Sequence, residues 1–381
     1  VPTPVVEALK LNAHEKDYLP AKGLPLLRQA VAEYHRRLVG IEYTENNVLI
    51  GPGSKELMFL LQLVYYGELI VPTPSWVSYT PQARIIGRQV SLIHTSVEDR
   101  WQISAEQLEQ HCQSQNDKYR PRILILNYPG NPDGCTYTPD ELKDIAEVAS
   151  KYQVVLLSDE IYGQIHHQGR HVSVARYYPE GTIISTGISK WCGAGGWRLG
   201  AFTFPPDFDW LLEQMSNVAS ETYTSVCSPI QFAAVTAFKG GVFLETYLWH
   251  VRRILASLGK RCADTLTKKD INVAFPEGGF YLFPDFSKHS HNLAKRGIKD
   301  SPAFCRRLLD ETGVALLPGF SFGREIDELT ARIAYVDFDG AKALTASETL
   351  PLDKPLPDEF VDTWCHQVVE AMTKIAEWVK K

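Results

Sequence analysis

The run from Ser185 to Gly200 sets Lys190 behind small and hydroxyl residues, then passes through a glycine-rich connection to Arg198, which stands between Trp197 and Gly200. A lysine amine is a nucleophile that forms a Schiff base with an aldehyde cofactor. An arginine, helped by hydroxyls such as Ser189 and by backbone N–H groups, holds a phosphate. The same composition also suits a glycine-rich surface loop with one solvated lysine. The remainder of the chain has to decide between these readings.

Other chemically capable residues follow short apolar runs. Val48–Ile50 leads into Gly51-Pro52-Gly53-Ser54-Lys55 and then a segment of helical composition, an arrangement that points unpaired N–H groups and a helix dipole at an anion. Leu69–Val71 leads to Trp76, Ile123–Leu126 to the turn Asn127–Gly134 with Asn131, and Val154–Leu157 to Ser158-Asp159-Glu160. Thr182–Ser185 leads to Lys190. Apolar strands separated by helix-length amphipathic segments predict a mainly parallel α/β sheet covered on both faces. Ligands gather beyond the carboxyl ends of such strands, so Gly53, Trp76, Asn131, Asp159 and Lys190 are expected to meet.

From about Phe243 the pattern changes to a long helix, short strands near Phe280 and Arg332, and a terminal amphipathic helix. This predicts a smaller α+β domain. The expected division is a large domain over 15–250 and a small one built from 1–14 and 251–381. Segments 287–300 and 339–357 lack periodicity and read as solvent loops or lids.

Composition narrows the function. The chain has 381 residues, 44% hydrophobic and 22% charged, with a net charge of -6. That balance argues against nucleic acid or an anionic membrane as partner. The longest apolar runs fall short of the roughly 20 residues that cross a bilayer, and no signal peptide is visible. Seven cysteines without CxxC pairs point to reduced thiols and a cytoplasmic location. His166, His167 and His171 read as a solvated loop rather than a metal site. Gly193, Gly195 and Gly196 lack the GxGxxG order of a dinucleotide site.

Seven motifs in order, Tyr18 in DYLPAKG, GPGSK, Trp76 in PSW, NYPGNPDG, SDEIYG, SKWCGAGGWRLG and Arg332 in ARIAY, resemble the class I/II aminotransferases, from about Val1 to Tyr335. The resemblance implies pyridoxal 5'-phosphate as cofactor and the three-layer fold-type I architecture. It implies that Lys190 is the Schiff-base lysine and proton carrier. Asp159 would pair with the pyridine nitrogen, Asn131 and Tyr162 would donate to the ring's phenolic oxygen, and Trp76 would stack on the ring. Arg198, Gly53, Ser54, Lys55 and Ser189 would form the phosphate cup. Arg332 would grip the substrate α-carboxylate, alongside Asn131 and Trp76. Tyr18 would reach the phosphate of a neighbouring subunit, making a homodimer with shared active sites the minimum unit.

One departure is Gly187, where many relatives carry serine three residues before the lysine; Thr186 is the candidate substitute. The implied reaction moves an amino group between an amino acid and a 2-oxo acid. The alternatives are a lyase of the same fold, either a carbon–sulfur β-lyase or a cyclopropane-forming synthase, and a sensor domain fused to a DNA-binding head, which the lack of a basic N-terminal extension disfavours. Asp209–Phe238 contains no Arg or Lys, which weighs against aspartate or glutamate as donor.

Overall fold

The computed structural model describes residues 1–115, 117 and 120–381. Its main sheet is built from β1 (Val48–Gly51), β2 (Glu68–Thr73), β3 (Val90–His94), β4 (Arg122–Asn127), β5 (Val154–Asp159), β6 (Thr182–Gly187) and β7 (Gly200–Thr203), in the order β1-β7-β6-β5-β4-β2-β3. Strands β2 to β6 pair in parallel, whereas β7 runs antiparallel to both β6 and β1. The register sets Asn127 beside Asp159 and Asp159 beside Ser185. Three polar side chains thus stand in a row at the carboxyl edge.

Helices α2 (Pro25–Val39), α3 (Ser54–Val64), α4 (Tyr79–Ile85), α5 (Ala105–Ser114), α6 (Pro139–Lys151), α7 (Asp209–Thr222) and α8 (Ser228–Lys239) surround this sheet, and α1 (Thr3–Leu11) packs on α8. Side chains of a strand alternate between faces. Ile123, Ile125, Val155 and Leu157 accordingly pack with Leu57 of α3 and Leu212 of α7, while Leu124, Leu126 and Leu156 pack with Leu142 and Ile145 of α6. Two apolar faces require two helical layers, and this produces the three-layer architecture expected from the sequence. Local signals set the helix limits. Pro139 opens α6 behind Thr138, whose side chain accepts from Glu141 N–H, and α2 stops at Gly40 in the left-handed conformation.

The 26-residue α9 (Val242–Thr267) leads into the second unit. There, α10 (Ser290–Lys295), α11 (Ser301–Thr312), α12 (Gly340–Glu348), α13 (Phe360–Trp364) and α14 (His366–Trp378) accompany a small antiparallel sheet of β8 (Tyr281–Leu282), β9 (Leu317–Pro318) and β10 (Ala331–Ala334), ordered β8-β10-β9. Ala331 and Ile333 are buried in its core, and Arg332 between them points the other way, toward Asn131.

Two expectations about irregular segments need correction. Residues 287–300 and 339–357 contain α10 and α12, with Asp339 capping the latter by accepting from Lys342 N–H. Each helix is so short that it buries only Leu293, or Ala343 and Ser347, too few positions to register as a period. Among the described residues no helix is long and apolar enough to cross a membrane.

Candidate active site

A cavity of about 560 Å³ opens at the carboxyl edge of the main sheet. Its wall brings together Ser54, Lys55, Trp76, Asn131, Asp159, Tyr162, Ser189, Lys190 and Arg198, which come from separate turns of the chain.

The floor is Asp159, 3% exposed at the end of β5. Its Oδ2 accepts from Tyr79 Oη at 2.6 Å and its Oδ1 from Ser185 Oγ at 3.2 Å. Burial pushes its carboxyl up to about 6, against the opposing effect of these hydrogen bonds. The backbone here is held as well. Asn127 Nδ2 donates to Asp159 O, and Asn127 Oδ1 accepts from Asn131 N–H at 2.8 Å. Asn127 thereby ties the turn that carries Asn131 to the strand end that carries Asp159.

One side of the cavity is an anion cup. Gly53, at φ 96°, precedes the first turn of α3, and a Cβ there would lie 2.3 Å from Arg198 Nη2. Glycine is therefore favoured by conformation, and any side chain would displace the Arg198 guanidinium. Arg198 is itself left-handed at φ 55° and donates to Gly195 O at 2.9 Å and Pro52 O at 3.4 Å. A Cβ on Gly200 would meet Ser54 N at 2.3 Å, so the start of β7 presses against the start of α3. These approaches aim a guanidinium and a helix N-terminus at the same space.

Arg332 adjoins the wall at Asn131. Its Nη1 donates to Asn131 Oδ1 at 3.1 Å, its guanidinium carbon lies 4.7 Å from the Tyr281 ring and 5.1 Å from the Phe322 ring, and its buried Nε has no partner among the described residues. Tyr162 Oη donates to Tyr281 Oη at 3.2 Å. Lys190 has its Nζ 5.7 Å from the Tyr162 ring and 6.0 Å from the Phe280 ring. Burial lowers its pKa, and Arg332, Arg198 and Lys55 add to this while Asp159 opposes it. A lysine so placed holds its free base more readily than a solvated one. Lys55 Nζ sits 5.0 Å from the Trp76 ring.

The charge balance reveals what belongs here. Lys55, Lys190 and Arg198 line the cavity with Asp159 as its acid, Arg332 adjoins it through Asn131, and among the described residues none of the four cations forms a salt bridge. Lys190 and Arg332 are half-buried and Lys55 and Arg198 exposed, so one cavity gathers positive charge that an anionic ligand would balance. A phosphorylated aldehyde with a protonatable ring nitrogen fits: Arg198 and the start of α3 would take its dianion, Asp159 its ring nitrogen and Lys190 its aldehyde.

Some of the candidate residues lie outside this wall. Tyr18 is 90% exposed and outside the cavity wall. Thr186 is buried in β6 and does not line the cavity either. Gly187 has a steric reason, since a Cβ there would lie 2.8 Å from Leu199 O, just before the paired strand β7. The histidine loop is corrected: His166 and His167 are 8% and 9% exposed, and the His167 ring nitrogens face Pro276 O and Gly279 O at 3.2 Å. Those carbonyls are more than a hundred residues away, so the burial has no local signature. Tyr79, Ser185, Asn127, Phe280 and Tyr281 were not singled out by sequence reasoning. Tyr79 and Asn127 do adjoin motifs that were, lying in the PSWVSY and NYPGNP stretches.

Fold and cavity together fit an α/β enzyme that uses a phosphorylated aldehyde cofactor. Residues 2–341 match the family described as aminotransferase class I and II. The chain is 33% identical over 326 residues to an aspartate aminotransferase of Bacillus sp. (strain YM-2), covering 84% of this chain and 79% of that relative. It is 30% identical to an asparagine–oxo-acid transaminase of Streptococcus mutans, covering 80% and 76%. Among solved structures, an aromatic aminotransferase from Pyrococcus horikoshii OT3 superposes with a TM-score of 0.82 at 26% identity, covering 100% of this chain and 92% of that one. The chain belongs to the class I and II aminotransferases. It is a pyridoxal-phosphate-dependent enzyme that transfers an amino group between an amino acid and a 2-oxo acid, and the transaminase reading stands over the lyase one.

Proposed function

We propose that Lys190 carries the cofactor and moves the substrate proton, and that the preferred donor is an amino acid with an acidic side chain. The carrying observation is a cavity lined by Lys55, Lys190 and Arg198, with Arg332 beside it on Asn131, none of them in a salt bridge among the described residues, and Asp159 as the cavity's acid. Bound pyridoxal phosphate supplies an aldehyde that captures amines and a ring that accepts the electrons of a breaking Cα–H bond. Lys190 Nζ, its basicity lowered by burial, is free to take the proton from Cα and return one. Asp159, ionised, holds a proton on the ring nitrogen. Asn131 and Tyr162 orient the ring's phenolic oxygen, and Trp76 covers a ring face. Arg198, Ser189 and the N–H groups of Gly53, Ser54 and Lys55 hold the phosphate.

Arg332 takes the substrate α-carboxylate, its approach fixed by Asn131 and by the Tyr281 and Phe322 rings. The ammonium of Lys55 then remains as a surplus cation beside Trp76. This supplies the side-chain carboxylate partner that Asp209–Phe238 lacks, and the aspartate aminotransferases among the relatives agree with such a donor. Tyr18, exposed in the single chain, suits a role in a partner's site within a cytoplasmic homodimer. The two units divide as 15–250 and 1–14 with 251–381, α9 linking them.

A donor screen with Lys55→Ser tests the assignment. Loss of one charge-assisted contact is expected to cut kcat/KM for aspartate about 10- to 100-fold while leaving phenylalanine within about threefold. Parallel loss for both donors, or loss for neither, would remove Lys55 from substrate recognition.

A further inference from the structure

A second carboxylate lies behind the cavity floor. Glu160 follows Asp159 directly, is 6% exposed, and is absent from the cavity wall. Its Oε2 faces His171 Nε2 at 2.8 Å, and its Oε1 accepts from Ser173 Oγ at 2.5 Å and Ser158 Oγ at 2.8 Å. The side chains of His171 and Glu160 are 8% and 4% exposed. Burial opposes a charge on Glu160, yet His171 and these donors prevail and hold its carboxyl below the ordinary range. The pair is joined to the site through backbone: Glu160 N–H donates to Ser185 O at 3.0 Å, and Ser185 Oγ donates to Asp159.

Two ionised carboxylates on adjacent residues repel, and Glu160 raises the proton affinity of Asp159. A cation is needed to cancel that effect. The titratable groups facing the pair, besides Asp159, are Tyr34, His35, Tyr43, Tyr128 and His166. Burial pushes His35 and His166 down to about 4 and raises the three tyrosines, so all five are neutral near pH 7. His171 is the ring that touches the Glu160 carboxylate, Nε2 to Oε2 at 2.8 Å, and its Nδ1 is buried without a partner among the described residues. Its ring is confined, with Tyr128 at 5.3 Å and Gly163 so close that a Cβ there would lie 2.8 Å from Cδ2.

We propose that His171 is a positioning residue for Asp159: it neutralises Glu160, so that Asp159 alone presents a negative charge to the cofactor's ring nitrogen. This rests on the reading of Asp159 given above. The test compares His171→Gln, which keeps a donor but no charge, with Glu160→Gln and the double variant. Isotope-edited infrared spectroscopy of the cofactor-free protein reads the protonation of Asp159, its band identified by loss in Asp159→Asn. His171→Gln is expected to raise the midpoint by about 1 pH unit and to lower kcat about tenfold at pH 7 with KM little changed. The double variant, neutral again, returns both toward wild type, which a loss of packing would not do. An unchanged midpoint in His171→Gln, or a double variant no better than the single, overturns the proposal. Where His171→Gln does not fold, Glu160→Gln must lower the midpoint, and no change there overturns it equally. Full turnover in Asp159→Asn would instead overturn the role of Asp159, while the infrared midpoints still decide the pair.

Discussion

Tyr79, the first residue of α4, donates its hydroxyl to Oδ2 of Asp159, the last residue of β5, at 2.6 Å. Burial raises the phenol's pKa well above its ordinary value, which keeps it a donor throughout the working range. The bond favours the ionised carboxylate, opposing the burial that pushes Asp159 up to about 6. Tyr79→Phe removes that help, so the Asp159 midpoint should rise above 6. Hydrogen bonds to charged groups are worth about 1.5–3 kcal/mol, and kcat at pH 7 should fall about tenfold or more. Because the defect is protonation, activity should recover as pH is raised toward 9. A pH–rate profile showing a uniform loss at every pH would contradict this.

The anion cup depends on glycine at 53. In Gly53→Ala the new methyl would lie within 2.3 Å of Arg198 Nη2 and the backbone would keep φ near 96°, both unfavourable. Arg198 must move, and cofactor affinity should weaken about 100-fold or more, measured by equilibrium titration of the cofactor's absorbance. The thermal midpoint of the cofactor-free protein should change by only a few degrees, since the displaced guanidinium can turn to solvent.

Much of this site was legible before the coordinates because it is assembled from strand ends. Buried parallel strands read as apolar runs, and the residue types that follow them, Ser54, Trp76, Asn131, Asp159 and Lys190, are those that loops at a carboxyl edge display. The antiparallel placement of β7 left no mark, since its run Gly200–Thr203 is as apolar as its neighbours. Side-chain partners were the harder part. Tyr79 sits in a seven-residue helix and Tyr281 in a two-residue strand, and each acquires meaning only from a residue far along the chain, Asp159 and Arg332 respectively. The histidine loop was misread for the same reason, its ring nitrogens being satisfied by carbonyls of the turn at Pro276–Gly279.

Asp133 supplies a stability test independent of catalysis. It is 5% exposed and accepts from Cys135 N–H, and burial pushes its carboxyl up to about 7. A folded value above the unfolded one means that the folded state binds the proton more tightly. Stability from this group is therefore present at low pH and lost as pH rises from about 4 through 7. Asp133→Asn keeps the accepting oxygen and abolishes the titration. Its unfolding free energy relative to wild type should improve by about 1–3 kcal/mol between pH 5 and pH 8 in denaturant melts. A pH-independent difference would show that the carboxylate is better accommodated than its burial implies.

The central claim is that Lys190 is the amine that captures the cofactor. Borohydride reduction of the pyridoxal-phosphate-loaded protein, followed by peptide mass mapping, fixes that amine covalently and identifies it. The pyridoxyl group should appear on Lys190, and Lys190→Ala should acquire no label and lose turnover by about 1000-fold or more. Label on Lys55 or another lysine in the native protein, or turnover by Lys190→Ala at the native rate, would contradict the account.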